Sequence, residues 1–187
     1  AILDVAGGAQ PMCSENGDCT LVFNGEIVNA PELRLQLEAA GQVFRSDHSD
    51  TEVVLHLPRR EGTAALPKLN GMFAFAFHDR RSGELLLGRD RMGIKPLYYS
   101  TGGGRLAFAT ELKSLLALPF ISRDVDRQSL FHYLSLMYVP GERSILAGVS
   151  RLLPGHVLRY RLADRNLQVE CWWQMDFSPD RRAMTSE

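Results

Sequence analysis

Cysteine is scarce and scattered in this chain. Three among 187 residues (Cys13, Cys19, Cys171) cannot build a disulfide framework. There is no Cys-x-x-Cys, and the five histidines (His48, His56, His78, His132, His156) stand far apart, so the ligand spacing of a zinc site is missing. No apolar run is long enough to span a bilayer, and no signal-peptide pattern opens the chain. Net charge is also lacking: the formal value is −1, too small for a long-range field that would recruit nucleic acid or an anionic membrane. The pairs Arg59-Arg60, Arg80-Arg81 and Arg181-Arg182 are short and dispersed, as in solvated turns. What remains, 45% hydrophobic and 23% charged residues, is the composition of a soluble globular domain with or without a tail.

The apolar pattern predicts an α+β protein. Thr20 to Phe23 is a short buried strand. Asn29, with Pro31 in the first turn and Glu32 in the capping-box position, predicts a helix with Leu33, Leu37 and Ala40 inward and Gly41 at its end. Val43-Phe44 is expected as a brief strand. Ser49 or Asp50 starts a second helix that Pro58 is expected to stop. Met72 to Phe77 alternates Phe with Met and Ala, which suits a strand covered on both faces. Hairpins are predicted around Arg81-Ser82-Gly83 and Gly102-Gly103-Gly104, then helices over 111–118 and from an Asp126 cap to Leu136, and a last hairpin turning at Asp164-Arg165-Asn166. Cys13 and Cys19 flank an Asn16-Gly17 turn that would set them across a hairpin; free thiols are the expectation. Strands in antiparallel hairpins with helices before and after make the class α+β.

Two short segments carry chemistry. Asn24-Gly25-Glu26 puts a side-chain amide, a backbone N–H and a carboxylate on consecutive residues at a strand end, which is what a site needs to hold an oxyanion beside an amino-acid substrate. Asn-Gly alone is usually a turn, but here it follows a buried strand. Ser49-Asp50-Thr51-Glu52 puts a carboxylate at a helix start, placed to face an ammonium group. Arg89-Asp90-Arg91 reads as a brace for the loop before Lys95-Pro96, and Trp172 and Trp173 as packing residues.

These segments, with Ala1-Ile2-Leu3-Asp4, Gln10-Pro11-Met12, Gly71 to Phe75, Arg89 to Tyr99 and Ala109 to Leu115, are ordered and spaced as in the class II glutamine amidotransferase domain. The chain most resembles the glutamine-hydrolysing asparagine synthetase branch, with Thr110 where that branch usually has Ser. The likeness is dense over residues 1–118 and looser from Asp126 to Trp173. It implies an N-terminal-nucleophile hydrolase-like fold, a four-layer αββα sandwich of antiparallel sheets, incomplete at its N-terminus. It divides the chain into the amidotransferase domain proper (1–122), its C-terminal part and connector (123–177) and a linker (178–187).

In that family a cysteine at the very N-terminus attacks the glutamine side-chain amide, with its own α-amine as base. By resemblance, Asn24 and Gly25 form the oxyanion hole, Glu26 and Asp50 bind the glutamine amino group, and Ala1, Ile2 and Leu3 line its pocket. The released ammonia then amidates an ATP-activated carboxylate in a synthetase domain. The chain departs from the pattern at its start, where residue 1 is alanine and neither the nucleophile nor the substrate-clamping arginine is present. It also lacks the Ser-Gly-Gly-x-Asp-Ser loop of the synthetase, and His56 to Gly62 is unlike the usual helix there. The expectation is thus an inactive piece of a cytoplasmic ligase of asparagine biosynthesis. It needs no cofactor of its own, ATP and Mg serve the missing domain, and its partners are glutamine and that domain, with a homodimer left open and no nucleic acid or membrane. The competing readings are a scaffold that kept the fold and lost the chemistry, and the amidotransferase domain of a sugar-phosphate or phosphoribosyl amidotransferase. Gly93 to Tyr99 and Pro154-Gly155-His156 favour the synthetase branch.

Overall fold

The alternating run at 72–77 becomes the centre of the protein. In the computed structural model, which describes Asp4 and residues 7–177, it lies in β3 (Gly71–Asp79). The expectations for Ala1, Ile2 and Leu3 and for the linker over 178–187 lie outside the described residues. β3 pairs antiparallel with β2 (Cys19–Ile27) on one side and β4 (Glu84–Arg89) on the other. β1 (Met12–Cys13) flanks β2; β8 (His156–Arg161) and β9 (Asn166–Cys171) extend the sheet beyond β4, giving the order β1-β2-β3-β4-β8-β9. A second antiparallel sheet holds β5 (Tyr98–Ser100) between β6 (Ala107–Ala109) and β7 (Ser150–Arg151).

Strand period sorts the side chains into layers. Phe73, Phe75 and Phe77 of β3 join Leu21, Phe23 and Ile27 of β2 against two helices, α1 (Ala30–Ala39) and α2 (Asp50–Glu61). From the helices come Leu33, Leu37, Val53, Val54 and Leu57. Ala74 and Ala76 face the other way, with Leu87, Leu158 and Tyr160, onto Leu97, Leu152 and Phe108 of the small-sheet layer. The far side of that sheet, at Ala107, packs on Leu115 of the short helix α3 (Leu112–Leu115) and on Ile121, Leu146 and Val149. The sequence of layers is helix, sheet, sheet, helix. The fourth helix, α4 (Arg127–Leu136), is capped by Asp126, whose carboxylate accepts from Ser129 N–H at 2.7 Å, and it leaves Phe131 and Leu134 exposed. Among the described residues no helix is long and apolar enough to cross a membrane.

Several local expectations need correction. Asn29 does not cap α1: its amide donates to Lys68 O (3.0 Å) and accepts from Asn70 N–H (2.9 Å), so it ties the helix start to the entry of β3. Pro58 does not stop α2, which runs on to Glu61 and ends at Gly62 with a φ of 59°. Proline near a helix end removes one N–H without changing the local φ, and the left-handed glycine makes the actual stop. Val43-Phe44 is not a strand; Phe44 lies under the Arg34 guanidinium (4.3 Å) and edge-on to His56 (5.1 Å), which holds the segment as a packed loop. The helix expected over 111–118 shrinks to Leu112–Leu115. Cys13 pairs with Thr20 in register, not with Cys19, and all three cysteines are free thiols.

Where the large sheet meets the loop to β5, two buried charges organise backbone. Asp90 is fully buried, and its carboxylate accepts four N–H groups: Phe73 (3.1 Å) and Lys95 (3.0 Å) on one oxygen, Met92 and Ile94 (both 3.0 Å) on the other. The Arg89 guanidinium donates to the carbonyls of Lys95 (2.8 Å), Leu152 (2.5 Å) and Gly93 (2.6 Å). Burial pulls the Arg89 pKa down and Arg151 adds to this, while Asp90 opposes it. Asp90→Ala would leave four donors without an acceptor and Arg89 without its counter-charge. Urea unfolding should show a loss of about 3–5 kcal/mol, and Asp90→Asn a smaller one, since the amide keeps one acceptor oxygen. A loss below about 1 kcal/mol in the alanine variant would mean that water replaces the carboxylate at no cost.

Candidate active site

An antiparallel ladder aims the N–H and C=O of alternate residues at the same neighbour. In β2 the even-numbered residues point toward β3, and Val28 N–H continues that parity by donating to Asn70 O at 2.8 Å. The odd-numbered residues therefore point at the opposite edge. There, β1 pairs opposite Leu21, and Ser14 N–H donates to Cys19 O at 2.9 Å. Beyond the end of β1 the edge has no strand beside it among the described residues, and side chains take over. The Gln10 amide accepts from Phe23 N–H and donates to Phe23 O, both at 2.7 Å. The Asp50 carboxylate accepts from Ile27 N–H at 3.0 Å. Between these two straps, Gly25 N–H faces the same edge with no partner among the described residues.

Gly25 cannot be replaced by a larger residue without moving backbone. A Cβ there would overlap the Met72 carbonyl oxygen and come within 2.7 Å of Phe73 Cα. Its neighbour Asn24 projects from the sheet face turned toward the second sheet. The Asn24 side chain is exposed and lines a cavity of about 250 Å³ between the sheets with Val22, Ala74, Phe108, Thr110 and Ser114. Glu26, one pleat further on the same face, is half-buried, and its carboxylate makes no hydrogen bond or ion pair among the described residues. Asn24 and Gly25 are thus consecutive on β2, and Asp50 meets the same strand two residues past Gly25, at Ile27. Asp50 and Glu26 do not line the 250 Å³ cavity, and neither does any cysteine. Cys13 lies on a separate cavity beneath β1, and Cys19 is buried, its thiol pushed above 9.0 chiefly by that burial and by Asp79. No cluster of three or more His, Cys, Asp or Glu able to hold a metal ion occurs among the described residues.

Sequence reading placed Asn24, Gly25 and Asp50 but missed two residues that position them. Gln10 was legible only as part of a Gln-Pro-Met run, because its partner lies thirteen residues on. Glu52 was legible as a fellow of Asp50, two positions along.

The residues 1–173 match the family model described as glutamine amidotransferase domain. Asparagine synthetase [glutamine-hydrolyzing] 1 of Bacillus subtilis (strain 168) is 38% identical over 179 residues, which is 96% of this chain and 28% of that protein. Asparagine synthetase [glutamine-hydrolyzing] 3 of the same organism is 37% identical over 180 residues, 94% of this chain and 29% of that protein. The chain therefore spans less than a third of the length of these relatives. Among solved structures, the glutamine phosphoribosylpyrophosphate amidotransferase of B. subtilis superposes with a TM-score of 0.59 at 24% identity, over 89% of this chain and 32% of that one. At that identity it shares the fold.

The helix that carries Asp50 is anchored by its next carboxylate. Glu52 accepts from the N–H of Arg45 (2.9 Å), and from the N–H (2.8 Å) and hydroxyl (2.5 Å) of Ser46. Burial alone would raise its pKa; the Ser46 hydroxyl and the two N–H groups outweigh it and hold the carboxyl below its usual value. One turn on, His56 Nε2 stands 3.5 Å from Glu52, and neither ring nitrogen has a well-formed hydrogen bond among the described residues. Burial depresses the His56 pKa below its ordinary 6.5, Glu52 pulls the other way without prevailing, and Arg59 and Arg45 add to the depression. Both groups are thus harder to protonate in the fold than in the unfolded chain. His56 contributes stability that is complete above 6.5 and is lost as pH falls from there to its lower folded value; Glu52 adds a second loss at lower pH. Urea midpoints measured from about pH 8 to pH 5 should decline on the acid side, and His56→Gln should flatten that decline. An unchanged slope in the variant would assign the loss to another group.

Proposed function

The chain belongs to the glutamine amidotransferase domain family, and on that premise we propose that it is the glutaminase part of an asparagine synthetase-like enzyme. The parent hydrolyses glutamine to glutamate and ammonia and uses the ammonia to amidate aspartate or a similar carboxylate at the expense of ATP. The observation that carries this reading is the Gly25 N–H, which among the described residues has no partner and stands between two strapped residues, one position from the Asn24 amide. A thiolate adding to the glutamine side-chain carbonyl turns its oxygen into an oxyanion. Two donors fixed to a paired strand stabilise that charge without having to reorganise as it forms. Collapse of the adduct breaks the C–N bond, the departing nitrogen takes up a proton to leave as ammonia, and water then hydrolyses the thioester to glutamate.

Glu26 and Asp50 supply negative charge for the substrate ammonium, Asp50 at the start of α2 and Glu26, whose carboxylate has no partner among the described residues, at the end of β2. The attacking thiol comes from outside these 187 residues: Cys13 and Cys171 do not line the Asn24 cavity, Cys19 is buried, and none of the three bears an α-amine. ATP and Mg act in the remainder of the parent, since nothing in the described residues resembles a phosphate loop. The parent is cytoplasmic, neither nucleic acid nor membrane is a partner, and a homodimer is compatible with this reading.

The full-length parent should hydrolyse glutamine, and Asn24→Ala in it should lower kcat about 10²–10³-fold with a much smaller change in KM. Wild-type rates in the variant would remove Asn24 from the oxyanion hole. The 187 residues alone should release no glutamate; thiol-dependent hydrolysis by them would show that an internal cysteine is the nucleophile.

A further inference from the structure

Beyond the end of β1, Gln10 does with its side chain what a neighbouring strand would do with its backbone. Its carbonyl takes Phe23 N–H and its amide gives to Phe23 O, both at 2.7 Å, so both polar groups of one β2 residue are held by one planar group. Phe23 is anchored from below too, its ring buried in the helix-facing core. Asp50 holds Ile27 N–H at 3.0 Å two residues past Gly25. The two straps are therefore symmetric about Gly25, the residue whose N–H they leave open. Without Gln10, the edge of β2 from Phe23 to Gly25 would have no partner among the described residues, and of these only β3 would hold the β2 backbone there. The two Phe23 groups would also need water as a partner, in the place where substrate arrives.

We infer that Gln10 is a positioning residue for amide cleavage: by clamping Phe23 it fixes the direction of Gly25 N–H and the base of the Asn24 side chain, and it keeps that edge from pairing with anything but the developing oxyanion. This rests on the function proposed above. It assigns Gln10 no contact with glutamine. A group that acts by aim affects the transition state, where the oxyanion exists, far more than the bound substrate. A donor displaced by about 1 Å costs on the order of 10²-fold in rate.

The test uses the full-length enzyme with Gln10→Met and Gln10→Glu. In Gln10→Met, kcat for glutamine hydrolysis should fall about 10–100-fold while KM stays within about threefold. Gln10→Glu should show a similar deficit at neutral pH, where a carboxylate faces the Phe23 carbonyl. Its rate relative to wild type should recover as pH is lowered, because the protonated carboxyl again offers one donor and one acceptor. Amide hydrogen exchange gives a readout independent of turnover: in wild type Gly25 should exchange fast and Phe23 should be protected, and Gln10→Met should release Phe23 while Ile27 keeps its protection. The inference is overturned if kcat is unchanged while Phe23 is released, if Phe23 stays protected in Gln10→Met, or if Ile27 and the whole of β2 lose protection together, which marks a merely structural role. A wild-type parent that does not hydrolyse glutamine overturns the reading beneath it, and the Gln10 role with it. That outcome differs from one in which wild type and both variants hydrolyse glutamine equally well.

Discussion

Nine residues of β2 are paired one for one with β3, and that pairing decides what the rest of the molecule can do. Because an antiparallel ladder consumes the polar groups of every second residue, it also commits the others to the far edge. Had β1 continued beside β2 to Ile27, each of those outward groups would have been consumed as well. It stops at Met12, and the three outward residues that follow have different fates: one is clamped by a side-chain amide, one by a carboxylate, and the one between them is a glycine with no partner among the described residues. A donor in that position is rigid because its neighbours are, and open because no strand lies beside it among the described residues. Rigidity and availability usually compete in a backbone group; here they come from the same ladder.

The buried charges serve that ladder at a distance. Asp90 receives Phe73 N–H, and Phe73 is the residue paired with Gly25 across β2 and β3. The carboxylate therefore holds β3 where β4 has ended, on the side of the strand opposite to Gly25. Arg89 carries the same brace across to Leu152 in the small-sheet layer. Glu52 does the corresponding work for α2 by gathering the N–H groups of the preceding loop, which fixes where Asp50 arrives at the strand edge. The cost of burying carboxylates that organise backbone donors in this way is met only while all of those donors stay in place.

The sequence made the layers and the place of Asn24 and Gly25 on a paired strand legible because both follow from short-range regularities. The Phe/Ala alternation of β3, the hairpin turns and the Asp126 cap are local, and so was the Asn24-Gly25-Glu26 run after a buried strand. The family resemblance then gave roles to residues that local pattern alone would have left as a turn and a cap. What escaped was set by partners far along the chain. Asn29 looked like a cap because its bonds to residues 68 and 70 have no signature at position 29. Pro58 looked like a stop because a lost N–H is visible in sequence, whereas the tolerance of a helix near its own end is not. Val43-Phe44 looked like a strand, since nothing nearby announces that Arg34 and His56 take its aromatic ring. Gln10 belongs to the same class, a polar residue whose meaning lies in the segment it faces.

The contrast between the two faces of β3 reaches further than packing. Toward the helices the strand presents phenyl rings; toward the second sheet it presents the methyl groups of Ala74 and Ala76, and Ala74 forms part of the floor beneath Asn24. The depth of that recess is thus metered in single carbon atoms. On the helix side volume is shared among many side chains, whereas on the recess side one added branch at Ala74 or Ala76 would take its space directly from the cavity.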